Sequence, residues 1–172
     1  TPLAKEAQSV NTIYKKDGKV VGDNTDVDGF GHALKYIDYN VQGKKVFILG
    51  AGGVVSSIIL ALKKAGASEI VLSNRTKEKA ENLKKIYSYL KVVDWGSVPD
   101  FNMIINATSL GLKENDEIKL NYADIGANKL FYDIIYNPSE TKFLSRAKQF
   151  GNQIENGKMM FAYQAQLAFE IW

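Results

Sequence analysis

The sequence predicts an α/β fold: a doubly wound parallel sheet with helices on both faces. Three observations carry that reading. From residue 43 onward, short apolar runs alternate with longer amphipathic stretches. A glycine-rich turn joins the first apolar run to the first of those stretches. The chain has 172 residues, of which 45% are hydrophobic, enough for one ordinary domain with its own core.

The elements follow in order. Before the alternation begins, Val10, Thr12 and Tyr14 alternate, Lys15-Lys16-Asp17-Gly18 makes a turn, and Lys19-Val20-Val21 returns as a hairpin. A helix over 27–40 follows. Phe30, Ala33, Leu34 and Ile37 recur at three- and four-residue spacing, and Asp26 stands where a cap would. Strands are predicted over 46–49, 70–73, 92–94, 103–106, 130–134 and 153–155. Helices are predicted over 53–65, 77–89, 139–150 and 159–172. Residues 110–128 read as loop with a short helical turn. The hairpin and first helix lie outside the alternation and look like the edge of another domain.

The bulk properties exclude several classes. A formal net charge of +3 is spread over pairs such as Lys44-Lys45 and Lys84-Lys85, which read as solvated faces rather than a nucleic-acid patch. With no cysteine there is neither a disulfide nor a thiolate metal site, which fits a reducing cytoplasm. No His, Cys or carboxylate cluster suggests a metal, and the single histidine, His32, is assigned no chemistry. No apolar run approaches the ~20 residues that span a bilayer. The N-terminus has no signal-peptide core and no initiator Met, so the chain reads as part of a longer protein.

The turn is Gly50-Ala51-Gly52-Gly53-Val54-Val55. Its context, strand before and helix after, makes it a Rossmann-like dinucleotide-binding turn. Gly50 permits the tight turn, and Gly52 lets the backbone approach a pyrophosphate. Gly53 starts a helix whose free N–H groups favour phosphate. Val55 stands where a third glycine would, pushing helix and strand slightly apart. At the end of the second strand an NAD-binding chain would place an acid on the ribose 2′-hydroxyl. Here stand Asn74, Arg75 and Thr76, with Lys77 and Lys79 close behind. Arginine suits a 2′-phosphate and can stack on adenine. Thr76 also suits a helix cap. The cofactor expected is NADP.

These residues, with the blocks SVNT, GDNTDVDGF, GKKVFILGAGG, SNRT, MIINATSLG, YDIIYNPSET and NGKMMFAYQAQLAFEIW, resemble the shikimate dehydrogenase family across nearly the whole chain. The resemblance implies an NADP-dependent oxidoreductase of aromatic amino-acid (chorismate) biosynthesis, acting on shikimate and 3-dehydroshikimate. It implies that residues 1–26 are a remnant of a substrate-binding domain and 27–156 the NADP-binding domain with its entry helix. Residues 157–172 would be a helix returning toward the substrate domain. Two serines and a lysine of the family's substrate domain would precede this chain, so the chain is expected to bind cofactor with almost no turnover.

Residue by residue, the resemblance implies that Asn11 bonds a substrate hydroxyl and that Asp26 is the acidic partner of the catalytic lysine. Gly50, Ala51, Gly52, Gly53 and Val54 would wrap the pyrophosphate. Asn74, Arg75, Thr76, Lys77, Glu78 and Lys79 would face the 2′-phosphate end. Ile134 and Gly157 would lie against the nicotinamide, and Tyr136 and Gln164 would reach the substrate. Blander readings stand beside these. Asp26 could simply cap a helix, Asn11 be a strand polar residue, Tyr136 a packed aromatic and Gln164 a surface residue. Asn137-Pro138 reads as cap and first turn of the next helix. A quinate/shikimate dehydrogenase of broader tolerance and a non-catalytic dinucleotide-binding module remain alternatives. Exposed hairpin edges leave a homodimer open.

Overall fold

The computed structural model describes residues 1–113 and 115–172. The expectation of loop at Glu114 lies outside the described residues. A short helix α1 (Pro2–Ala7) leads into the hairpin β1 (Thr12–Lys16) and β2 (Lys19–Asp23), which pair antiparallel as a sheet of their own. Helix α2 (Asp26–Tyr36) leads out of it. Then come β3 (Lys45–Leu49), α3 (Val55–Lys64), β4 (Glu69–Ser73), α4 (Lys77–Ile86) and β5 (Lys91–Val93). The second half holds β6 (Met103–Asn106), α5 (Tyr122–Ile125), β7 (Leu130–Asp133), α6 (Lys142–Gln149), β8 (Gln153–Asn156) and α7 (Lys158–Ile171).

The large sheet has six strands in the order β5-β4-β3-β6-β7-β8, every pair parallel. From β3 the chain steps outward one way, then returns to the other side of β3 and steps outward the opposite way. The reversal between β3 and β6 is a topological switch point, and crevices for ligands open there, outside the carboxyl ends of the strands.

Both faces are covered, as the continuous apolar strands require. On β3, Val46 and Ile48 face one core with α2, α3 and Met160 of α7, while Phe47 and Leu49 face the other with Phe143, Leu144 and Tyr122. The period of two along each strand divides the apolar residues between these cores.

Several boundaries differ from expectation. Helix α1 was not foreseen, because six residues carry too little periodicity. Thr1 caps it, accepting the Ala4 N–H at 3.3 Å, Pro2 opens it, and Ala7 is fully buried. Asp26 does not cap α2 but is its first residue. Asn24 does the capping instead, accepting the Val27 N–H at 3.1 Å. Thr76 stands at the cap position of α4 without a side-chain bond to it. Asn137-Pro138 is not a helix start. Its peptide is cis, and α6 begins at Lys142 with Thr141 as cap, accepting the Leu144 N–H at 3.4 Å. The glycines delay α3 to Val55.

Candidate nucleotide and substrate site

Strand pairing aligns one row of residues across the carboxyl edge of the sheet: Val93, Ser73, Leu49, Asn106, Asp133 and Asn156. Four of the six are polar. Asn106 and Asp133 are fully buried, so their groups need partners. Asn106 Nδ2 donates to Asp133 Oδ1 and to the Leu110 carbonyl, both at 3.0 Å. Its Oδ1 accepts the Thr108 N–H at 3.0 Å and the Thr108 hydroxyl at 2.7 Å. Asp133 also accepts the Ile135 N–H at 3.0 Å and the Thr141 hydroxyl at 2.6 Å. Burial pushes the Asp133 carboxyl up, and the three donors pull it partly back. The network ties the loop after β6 to the loop after β7. Sequence reasoning gave Asn106, Asp133 and Thr141 no role, although three polar residues at strand ends and a cap were a usable signal.

A crevice of about 280 Å³ lies at the switch point. It is lined by Gly50, Ala51 and Gly52, by Asn74, Arg75, Thr76 and Lys79, by Trp95, and by the loop 107–110. The glycines of the turn beside it fall into two kinds. Gly50 has φ of 115°, and a Cβ there would strike the Ala107 carbonyl, so the chain's own geometry demands glycine. Gly52 and Gly53 have no left-handed φ, and a Cβ at either would meet nothing within 4 Å. Nothing inside the chain requires glycine there. A bare backbone facing open space fits a ligand that must come close, as a pyrophosphate does.

Beyond β4, Arg75 and Lys79 are exposed cations on the crevice. Asn74 Nδ2 donates to the Thr76 carbonyl at 2.7 Å, which sets the turn between them. Lys77, expected beside the nucleotide, is ion-paired with Asp94 at 2.7 Å and does not line the crevice. Glu78, Gly53 and Val54 also lie off its lining. Trp95 was missed: in Asp94-Trp95-Gly96 it has no motif spacing, and only the pairing of β5 with β4 brings it here.

Of the residues expected around substrate, Asp26 opens α2 and Gln164 lies on α7, which pack together, while Asn11 precedes β1 and Tyr136 follows β7. Asn11 Oδ1 accepts the Thr25 N–H at 2.9 Å, and its Nδ2 donates to the Thr25 hydroxyl at 3.0 Å. Beside it, Asp26 is half-buried. Burial raises its carboxyl, and the Asn11 amide pulls it back. One turn on, Gly29 abuts Gln164, whose Cβ would lie 2.9 Å from a Cβ at that glycine. Gln164 Nε2 donates to the Phe161 carbonyl at 3.0 Å, and the Phe161 ring stacks on Tyr136 with centroids 4.9 Å apart. Two sets of contacts result: Asn11 with Thr25 and Asp26, and Gly29 with Gln164, whose neighbour Phe161 stacks on Tyr136. Ile134 and Gly157 also meet: a Cβ at Gly157 would strike the Ile134 carbonyl, which by itself explains the glycine. Buried Asn24 was missed as well. Its Nδ2 bonds the Ser9 carbonyl at 3.1 Å and Ser57 Oγ at 3.0 Å, fastening hairpin to α3.

A strand order reversing beside a glycine turn, with cations where an acid would hold a plain ribose, defines a dinucleotide-binding α/β domain. Residues 32–134 match the model of the Shikimate / quinate 5-dehydrogenase family. The chain belongs to that family. It is 59% identical over 169 residues to the shikimate dehydrogenase (NADP(+)) of Pelagibacter ubique, covering 98% of this chain and 64% of that relative. The crystal structure of shikimate dehydrogenase from Aquifex aeolicus superposes with a TM-score of 0.89 at 40% identity, over 100% of this chain and 64% of that one. The Thermus thermophilus shikimate 5-dehydrogenase, solved with NADP(H) and shikimate, gives 0.88 at 32% identity, over 100% and 65%. The chain thus spans just under two thirds of the length of these relatives.

Proposed function

We propose that this chain is the nucleotide-binding part of an NADP-dependent shikimate dehydrogenase, which reversibly reduces 3-dehydroshikimate to shikimate. The observation that carries the reading is the crevice itself. Bare glycines 52 and 53 lie at the turn after β3, and Arg75 and Lys79 stand beyond β4 where an acid would select NAD. Residues 1–26 belong with substrate recognition, 27–156 with the nucleotide, and 157–172 return to the substrate side. Membership of the family favours a place in chorismate biosynthesis in the cytoplasm. No described helix is long and apolar enough to cross a membrane.

The bound nicotinamide supplies hydride chemistry. The chain's residues hold and orient. Gly50, Ala51 and Gly52 would approach the pyrophosphate, and Arg75, Thr76 and Lys79 the 2′-phosphate end. Asp26, with a carboxyl raised by burial, would hold the reacting hydroxyl with Asn11 beside it. Gln164 and Tyr136 would bound the substrate from α7 and the loop after β7. The Asn11 amide is a polar partner of the raised Asp26 carboxyl, and the lysine that the family resemblance sets beside that carboxyl has no counterpart among these residues. The chain alone should therefore bind nucleotide and turn over little. Pairing of two copies would run along the exposed hairpin edges.

Isothermal titration with NADP⁺ and NAD⁺ tests the assignment. Preference for NADP⁺, lost in Arg75→Ala, is expected. Equal affinity for both nucleotides overturns it and would favour a quinate/shikimate dehydrogenase of broader cofactor tolerance.

A further inference from the structure

One wall of the crevice has no role in the reading above. Trp95 follows β5 and lines the same crevice as Arg75, Thr76 and Lys79. The residue is 36% exposed, and it joins none of the aromatic pairs among the described residues. The turn that carries it is fixed on both sides. The Asp94 carbonyl accepts Ser73 Oγ at 3.2 Å and the Ser97 N–H at 3.0 Å. The Asp94 carboxylate holds Lys77 Nζ at 2.7 Å. Gly96, with φ of 95°, lets the chain reverse directly after the indole.

We propose that Trp95 takes a face of the nucleotide's adenine ring, and that Lys77 acts on that nucleotide only through Asp94. The proposal rests on the cofactor reading above and deepens it. Topology places the base here. With pyrophosphate at the turn after β3 and the 2′-phosphate at the end of β4, the adenosine extends toward β5, the next strand outward. An indole offers a flat π-face to any base, and stacking on it needs no hydrogen-bond code. Lys77 then has two effects without touching the ligand. It braces the turn that presents the indole, and it offsets a carboxylate that would otherwise repel a 2′-phosphate nearby.

The chain has two tryptophans, so Trp172→Phe leaves Trp95 as the sole indole reporter. In that variant, adenosine 2′-monophosphate and NADP⁺ should each quench emission saturably, and nicotinamide mononucleotide should not. By calorimetry, Trp95→Ala should weaken NADP⁺ binding roughly 5- to 100-fold, and Trp95→Phe should recover most of the loss. Lys77→Ala should weaken NADP⁺ more than NAD⁺, and that loss should vanish in an Asp94→Asn background. A Lys77 that touches phosphate directly would keep its effect there, which overturns the second half of the proposal. If the unaltered chain binds NADP⁺ but Trp95→Ala binds it equally well, and adenosine 2′-monophosphate leaves the indole emission unchanged, the stacking role is overturned while the cofactor reading stands. If the unaltered chain takes up no NADP⁺ in the calorimeter, the cofactor reading falls and this one with it.

Discussion

The carboxyl edge of the large sheet and the face formed by the hairpin and α7 are built on opposite terms. At the sheet edge, Asn106, Asp133 and Thr141 are buried and satisfied by one another, and glycine appears where backbones touch. On the other face apolar groups stand in the open. Ile13 and Val20 of the hairpin are exposed, and Phe169 and Trp172 of α7 are 77% and 75% exposed. The sheet edge carries its own supports, whereas the hairpin and α7 form a framework with uncovered apolar surface, which in folded chains marks a contact surface. Changes at the first region should therefore cost stability or binding, and changes at the second should cost this chain little.

The largest effect is expected at Gly50. Glycine there combines a left-handed φ with backbone contact at Ala107, so Gly50→Val should destabilise by about 3 kcal/mol or more in chemical denaturation. Retained stability would mean that the turn can move away from β6.

Next comes Asp133. Asp133→Ala strands the Thr141 hydroxyl, the Ile135 N–H and one Asn106 donor, at about 2–4 kcal/mol. Asp133→Asn keeps acceptors for most of them and should cost far less. Its signature is in pH. Because burial raises the Asp133 carboxyl, the folded chain binds that proton more tightly than the unfolded chain. This contribution is full below the ordinary carboxylate value and is lost as pH rises through the raised one. The melting temperature of Asp133→Asn should therefore gain on the unaltered chain as pH rises from about 4 toward 7. A constant difference would show that the carboxyl is not raised.

Arg75→Ala should follow, lowering NADP⁺ affinity roughly 10-fold or more while sparing NAD⁺ and thermal stability, as calorimetry and melting would read. The smallest effect belongs to the open face. Trp172 Nε1 donates to the Ile13 carbonyl at 3.1 Å, yet the ring is largely in solvent. Trp172→Ala should change unfolding free energy by less than about 1 kcal/mol. A larger loss would mean that Trp172 holds the hairpin in place and that the two regions are less unlike than their burial suggests.

Much of the fold was readable because its signals are local. The continuous apolar strands, the glycine turn and the helix spacing of Phe30, Ala33 and Leu34 all lie within short windows. Errors fell where local signals compete. Asn137-Pro138 has the composition of a helix start, yet Thr141 three residues later supplies the cap. Asp26 stands at a plausible cap position, but Asn24 two residues earlier reaches the free N–H. For the site, the residues around Gly50 and Arg75 were legible as a motif. Lys77 was grouped with them by adjacency, although its side chain turns to Asp94, 17 positions on.

By itself, the sequence determined the alternation of strands and helices, the glycine turn and the cations that take the place of an acid, because each is written in neighbouring residues. Only the tertiary structure decided which strand lies beside which, and with it three things: the crevice that receives Trp95, the joining of Asn106 to Asp133 and Thr141, and the contact of Gly29 with Gln164. The physical reason is that these are meetings between distant segments. They are fixed by burying two apolar faces of one sheet at once, and no short stretch of chain encodes that.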